Sequence, residues 1–82
     1  MWFTYIIYSE LEDQYYIGYA QNPSSELERH NLGEMSATRK AKPWQLVHVE
    51  KYPSEADAMR RAKEIKAKKS RSYIEQLLKL DY

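Results

Sequence analysis

The chain has no cysteine, which excludes a disulfide framework and any thiolate metal site. Its glycines number two and its prolines three, and it shows no internal repeat, no low-complexity tract and no linker. No apolar run approaches the roughly 20 residues that a membrane span requires. The N-terminus lacks the basic flank and small-residue cleavage site of a signal peptide. These absences point to a cytoplasmic, reduced setting with no membrane partner. Uniform basicity, the usual mark of a nucleic-acid binder, is missing too, since the net charge is only +1.

What is present is uneven. The 82 residues suffice for one domain, spanning 1–82, with one modest core. Residues 1–34 carry six acids and one base, whereas residues 35–82 carry twelve bases and six acids. A basic half can attract phosphate while the whole chain stays near neutral. Seven of those bases fall between Arg60 and Arg71. A solvated helical surface is the plainer explanation of the same charges.

Two short aromatic and β-branched runs, Trp2 to Tyr8 and Gln14 to Ala20, read as strands. The acidic stretch Glu10-Leu11-Glu12-Asp13 between them makes a β-hairpin. The first strand is almost wholly apolar, as expected of a strand covered on both faces. The hairpin places Tyr5 and Tyr16 on neighbouring strands, where cross-strand side chains meet. Gly18, inside the second strand, marks a bulge or a close approach of another group.

Asn22-Pro23-Ser24-Ser25 has the chemistry of a helix start, with Asn22 as cap and proline in the first turn. Gly33 suits the C-terminal cap, and Leu27 with the His30-Asn31 turn would face the sheet. Glu34 to Pro43 has no hydrophobic period and reads as a loop. A third strand follows at Trp44 to Lys51. Ser54 and Asp57 have capping-box spacing ahead of a helix over Glu55 to Lys68, whose apolar stripe is Ala58, Ala62 and Ile65. Ser70 caps a last helix, Arg71 to Leu80, buried through Ile74, Leu77 and Leu78. The order β-β-α-β-α-α predicts an α+β fold, a small three-stranded antiparallel sheet packed with three helices.

Tyr5, a ten-residue spacer and then Tyr16-Ile17-Gly18 resemble the paired motif of the GIY-YIG nuclease superfamily. The likeness extends over nearly the whole chain. It is strongest to small stand-alone bacterial members related to the N-terminal nuclease domain of the excinuclease C subunit. Phe3-Thr4-Tyr5 matches the first motif only at its tyrosine, whereas the second motif matches in full. The resemblance implies an endonuclease-like fold, DNA as partner, a DNA-repair setting and phosphodiester hydrolysis with one divalent metal, Mg2+ or Mn2+. It implies that Tyr5 activates a water or takes its proton, that Tyr16 orients the site, and that His30 assists. An arginine on the first helix would hold the phosphate, and a glutamate on the second main helix would hold the metal.

Two positions depart from that pattern. In the run Asn22 to Asn31, Leu27, His30 and Asn31 match, but Glu26 stands where the arginine is expected. In the run Ala58 to Lys66, Ala62 stands where the metal-binding glutamate is expected. A cation belongs beside phosphate oxygens as charge develops on them, and a hard metal needs an oxygen ligand. Glu26 supplies the wrong sign and Ala62 supplies no oxygen, so no metal ligand is assigned. Glu64 lies about 200° around the helix from position 62 and points away. Arg29 lies one turn past Glu26 and either reaches toward the same site or pairs with Glu26 on the surface.

These residues leave three functions open. The first is a catalytically impaired member that still binds nucleic acid through the loop Thr38 to Lys42, with Arg39, Lys40 and Lys42, and through Arg60, Arg61 and Lys63 of the basic helix. The second is a working metal-dependent DNA endonuclease with a rearranged site, or an inactivated form of one. The third is a structural or partner-binding module that keeps only the fold. In the plainest view Tyr5 and Tyr16 are sheet aromatics, His30 is structural, and Ala62 belongs to the core stripe. His48, on a strand with no second histidine at ligand spacing, is not read as a metal ligand.

Overall fold

The computed structural model describes residues 1–79. Three strands, β1 (Trp2–Ser9), β2 (Gln14–Ala20) and β3 (Trp44–Tyr52), form one antiparallel sheet in the order β2-β1-β3. The central place of β1 explains its apolar sequence: Thr4, Tyr5, Ile6 and Ile7 are all buried. The helices are α1 (Pro23–Asn31), α2 (Glu55–Lys68) and α3 (Arg71–Lys79). The expected last residue of α3, Leu80, lies outside the described residues. No described helix is long and apolar enough to cross a membrane.

Strand alternation divides the core in two. Tyr5, Ile7, Ala20 and Trp44 point to one face and pack with Tyr16, Leu27, Leu46 and Ala41. Ile6 and Ile17 point to the other, where Ala62, Ile65 and Ile74 of the two C-terminal helices cover them. The β1–β3 register shifts between Ile6 and Ile7: Ile6 faces His48 while Ile7 faces Leu46, so Val47 is an extra residue. The irregularity of the sheet therefore sits in β3, and Gly18 of β2 is regularly paired with Tyr5.

The helix ends follow their sequence signals. The Asn22 side chain accepts from the Ser25 N–H at 3.1 Å, and that of Ser54 accepts from the Asp57 N–H at 3.2 Å. Past α1, Gly33 takes φ +77°; its N–H donates to the His30 carbonyl and the Glu34 N–H donates to that of Arg29. This is a Schellman termination, and glycine enters that left-handed conformation without strain. The segment expected as a plain loop contains a short 3-10 turn, Arg39–Ala41, which buries Ala41 against the sheet. Ser9 Oγ donates to the Ala41 carbonyl at 2.5 Å and fixes that turn to the end of β1.

Candidate functional site

The two tyrosines share a face but are not directly opposite. Tyr5 pairs with Gly18, and Tyr16 pairs with Ile7, so the phenols are diagonal neighbours. What joins them is His30 from α1. Its ring centroid is 5.0 Å from that of Tyr16 and 6.2 Å from that of Tyr5, edge-on to both. The Tyr5 hydroxyl stands 3.1 Å from His30 Nε2. Gly18 makes this possible: a β-carbon there would lie 2.6 Å from Tyr5 Cζ and from its hydroxyl oxygen. The close approach expected at this glycine is therefore made by the Tyr5 ring.

Behind His30 the chain of hydrogen bonds continues. Its Nδ1 lies 2.8 Å from Thr38 Oγ1, and Thr38 Oγ1 lies 3.5 Å from the Met35 carbonyl. Burial lowers the pKa of His30 below its usual value, so the ring is neutral at pH 7. Burial, with Tyr16 and the Glu26 carboxylate adding to it, pushes the Tyr5 phenol well above the usual range. A protonated phenol and a neutral imidazole fit one arrangement. Tyr5 donates to Nε2, and Nδ1–H donates to the threonine oxygen. Both shifts hold the proton on Tyr5 and keep the pair neutral, so the unit carries no positive charge of its own.

The matched Asn31 has a separate job. Its side-chain amide donates to the Trp44 carbonyl at 3.1 Å and accepts from the Trp44 N–H at 2.6 Å, tying the end of α1 to the start of β3. Trp44 Nε1 donates to the Thr38 carbonyl at 2.9 Å, which closes the loop between them. Sequence reasoning placed Thr38 in a phosphate-contacting loop; it is buried, and its hydroxyl orients His30. Its small polar side chain among bases gave no signal of that role.

Comparison with known proteins follows the same outline. The family model described as the GIY-YIG catalytic domain matches residues 1–75. The chain belongs to the GIY-YIG family. UPF0213 proteins of Staphylococcus aureus strains Mu3 and Mu50 are each 34% identical to it over 65 residues, 78% of either chain. The solution NMR structure of the UPF0213 protein BH0048 from Bacillus halodurans covers 99% of this chain and 86% of its own. It superposes with a TM-score of 0.61 at 31% identity.

GIY-YIG nucleases are typically dependent on a divalent metal, and the residues at the expected position here do not fit one. Ala62 is 1% exposed and packs with Ile6, Ile17 and Ile65, where a small side chain lets α2 lie close on the sheet. Thr4 Oγ1 donates to the Ala58 carbonyl at 2.8 Å across that contact. Among the described residues, no group of three or more His, Cys, Asp or Glu side chains is placed to hold a metal ion. The carboxylate acting on Tyr5 is that of Glu26, and it is engaged by Arg29 at 3.2 Å. Arg29 is half exposed and also pairs with Glu34 at 3.3 Å, so of its two expected roles the structure displays the surface pair.

The bases named from the sequence differ in their surroundings. Arg39 is exposed, with Nε donating to the Gly33 carbonyl at 2.8 Å, and Lys40 and Lys42 are exposed beside it. Lys63 is exposed, and Arg60 is exposed while pairing with Asp57. Arg61 is only 17% exposed and is held by Glu50, Glu64 and the Tyr73 hydroxyl. Glu50 in turn accepts from Tyr52 at 2.7 Å and lies 2.7 Å from His48 Nε2. Burial alone would raise the Glu50 carboxyl, but the hydrogen bonds from Arg61, Tyr52 and His48 outweigh it and hold it down at about 2. Tyr52 is pushed up to about 12 by burial and by that carboxylate.

Proposed function

We propose that this GIY-YIG chain binds nucleic acid, DNA foremost, and is impaired in metal-dependent phosphodiester cleavage. One observation carries the reading. The tyrosine–histidine unit is assembled, yet the residue at the metal-ligand position is an alanine sealed in the core and the residue at the phosphate-clamp position is a glutamate. A neutral Tyr5–His30 pair beside a carboxylate supplies no charge to offset that developing on a phosphate oxygen, and the nearby Arg29 is already engaged by Glu26 and Glu34. The exposed bases Arg39, Lys40, Lys42, Arg60 and Lys63 remain available for backbone phosphates, whereas Arg61 is already neutralised by Glu50. A reduced cytoplasmic setting suits a chain without cysteine.

The test pairs two assays on the same protein. In a mobility-shift titration, DNA should be retarded at low salt and released as salt rises, because phosphate contacts displace counterions. The same DNA with added magnesium or manganese should stay uncut. Nicking with metal that Tyr5→Phe abolishes would instead establish a working endonuclease with a rearranged site. Failure to retard any nucleic acid at low salt would leave a structural or partner-binding module.

A further inference from the structure

A second site lies round the edge of the sheet from the tyrosines. A groove of about 340 Å³ runs between β2 and the elbow that joins α2 to α3. Its floor is apolar, made by Ile17, Ile65 and Ile74. Tyr15 forms one wall, with the Arg71 guanidinium 5.2 Å over its ring. That guanidinium is steadied by Asp13, at 2.6 Å to its carboxylate and 3.0 Å to its carbonyl. Lys66 and Lys69 stand exposed on the rim; among the described residues no acidic side chain lines the groove itself, while Asp13 and Glu75 hold Arg71 from outside it.

We propose that this groove holds one unpaired nucleotide of a nucleic-acid strand that also passes the tyrosine–histidine unit. The inference rests on the nucleic-acid binding proposed above and says where the strand runs. A flat ring stacked with a guanidinium over an apolar floor suits a base, which stacks on either kind of plane. Two ammonium groups at the mouth suit the phosphate attached to it. The continuity comes from Lys66. It lines the groove, and its ammonium also lies 6.0 Å from the centre of the Tyr16 ring. A free nucleotide would fill the groove but would make no use of that link, so the occupant is a strand.

Lys69 adds an independent handle. It ends α2 at φ 48°, in the left-handed region where glycine is at ease and a lysine is strained. An outlier of this kind at a groove rim is where function is expected to outweigh stability. Lys69→Gly therefore separates the two: it removes the ammonium while relieving the backbone.

The experiment measures binding of the full chain to a labelled mixed-sequence single strand, to the same sequence as a duplex, and to adenosine monophosphate. The single strand should bind tighter than the duplex. Lys69→Gly should keep or raise the thermal midpoint while weakening single-strand binding and lowering the slope of log K against log salt by about 0.7. Tyr15→Leu, which keeps apolar bulk, should weaken it about tenfold. Lys51→Gln, on the far edge strand, should change nothing. If the single strand and duplex bind alike and neither groove variant matters, the groove is wrong while nucleic-acid binding stands. If adenosine monophosphate competes as well as the strand, the strand path is wrong. If the native chain binds no nucleic acid at all, the reading beneath the inference fails and takes it along.

Discussion

Replacing Gly18 by alanine is expected to destabilise the chain by about 2–3 kcal/mol, lowering its melting temperature by roughly 10–20 °C. The backbone argues the other way, since alanine in an extended strand is favoured over glycine by about 0.5–1 kcal/mol. Space decides the sign. The new methyl would meet Tyr5 Cζ and its hydroxyl oxygen at 2.6 Å and Cε2 at 3.0 Å. These are atoms of a stiff ring, 2% exposed, wedged among Ile7, Ala20 and Trp44. The ring has to tilt, which also parts its hydroxyl from His30 Nε2 and leaves a buried nitrogen without its donor at a cost of about 1–2 kcal/mol.

A double-mutant cycle isolates the cause. In a Tyr5→Phe background the ring carbon Cζ is still present, so alanine at position 18 should remain costly. In a Tyr5→Leu background both atoms at 2.6 Å are gone, and the same alanine should cost little or even stabilise. Equal losses in all three backgrounds, read by urea unfolding, would mean that the glycine serves the strand and not the tyrosine. The result bears on function because the second-motif glycine and the first-motif tyrosine then form one device. The glycine clears the space over which the phenol reaches the histidine.

The elements of this chain were legible because local chemistry and core pattern agree. Asn22, Ser54 and Ser70 cap helices, Gly33 ends one, and the stripe Ala58, Ala62 and Ile65 is buried as its spacing predicts. The tyrosine spacing and Leu27-x-x-His30-Asn31 singled out Tyr5, Tyr16 and His30, which the structure brings together on one face of the sheet. What was not legible is pairing at a distance. Nothing in Thr38-Arg39-Lys40 tells that the threonine turns inward to a histidine eight residues back while its basic neighbours stay in water. The register was out of reach as well, because the alternation in β3 cannot reveal that Val47 is an extra residue. Charge misled most at Arg61. In sequence it is one of seven bases between Arg60 and Arg71, but Glu50 lies eleven residues before it on β3.

That pair sets the acid limit of the fold. Arg61 grips Glu50 with two nitrogens, at 2.8 and 3.2 Å, with only 17% and 20% of the two side chains exposed. Removing one partner takes from the other its two-point charged contact and leaves only Glu64 and Tyr73 to Arg61, or Tyr52 and His48 to Glu50. Arg61→Met or Glu50→Gln should therefore cost about 2–3 kcal/mol at pH 7, while the double variant should cost less than the two singles added. Glu50 titrates near 2 in the folded chain against an ordinary value of 4.5. Between those values the unfolded chain binds a proton that the folded chain refuses. Stability is therefore full above about pH 5 and falls as pH drops toward 2, by up to about 3 kcal/mol from this group. In Glu50→Gln that loss is absent, so the gap between native chain and variant should close across the same window. Asp13, also depressed by Arg71 and Tyr8, stays in both proteins and cancels from the comparison. A gap that stays constant from pH 6 to pH 2.5 would show that Glu50 is not the group being protonated. Nucleic-acid binding offers the second readout. A charge already neutralised by Glu50 has little left for phosphate, so Arg61→Met should bind as the native chain does wherever it is folded, unlike Lys69→Gly.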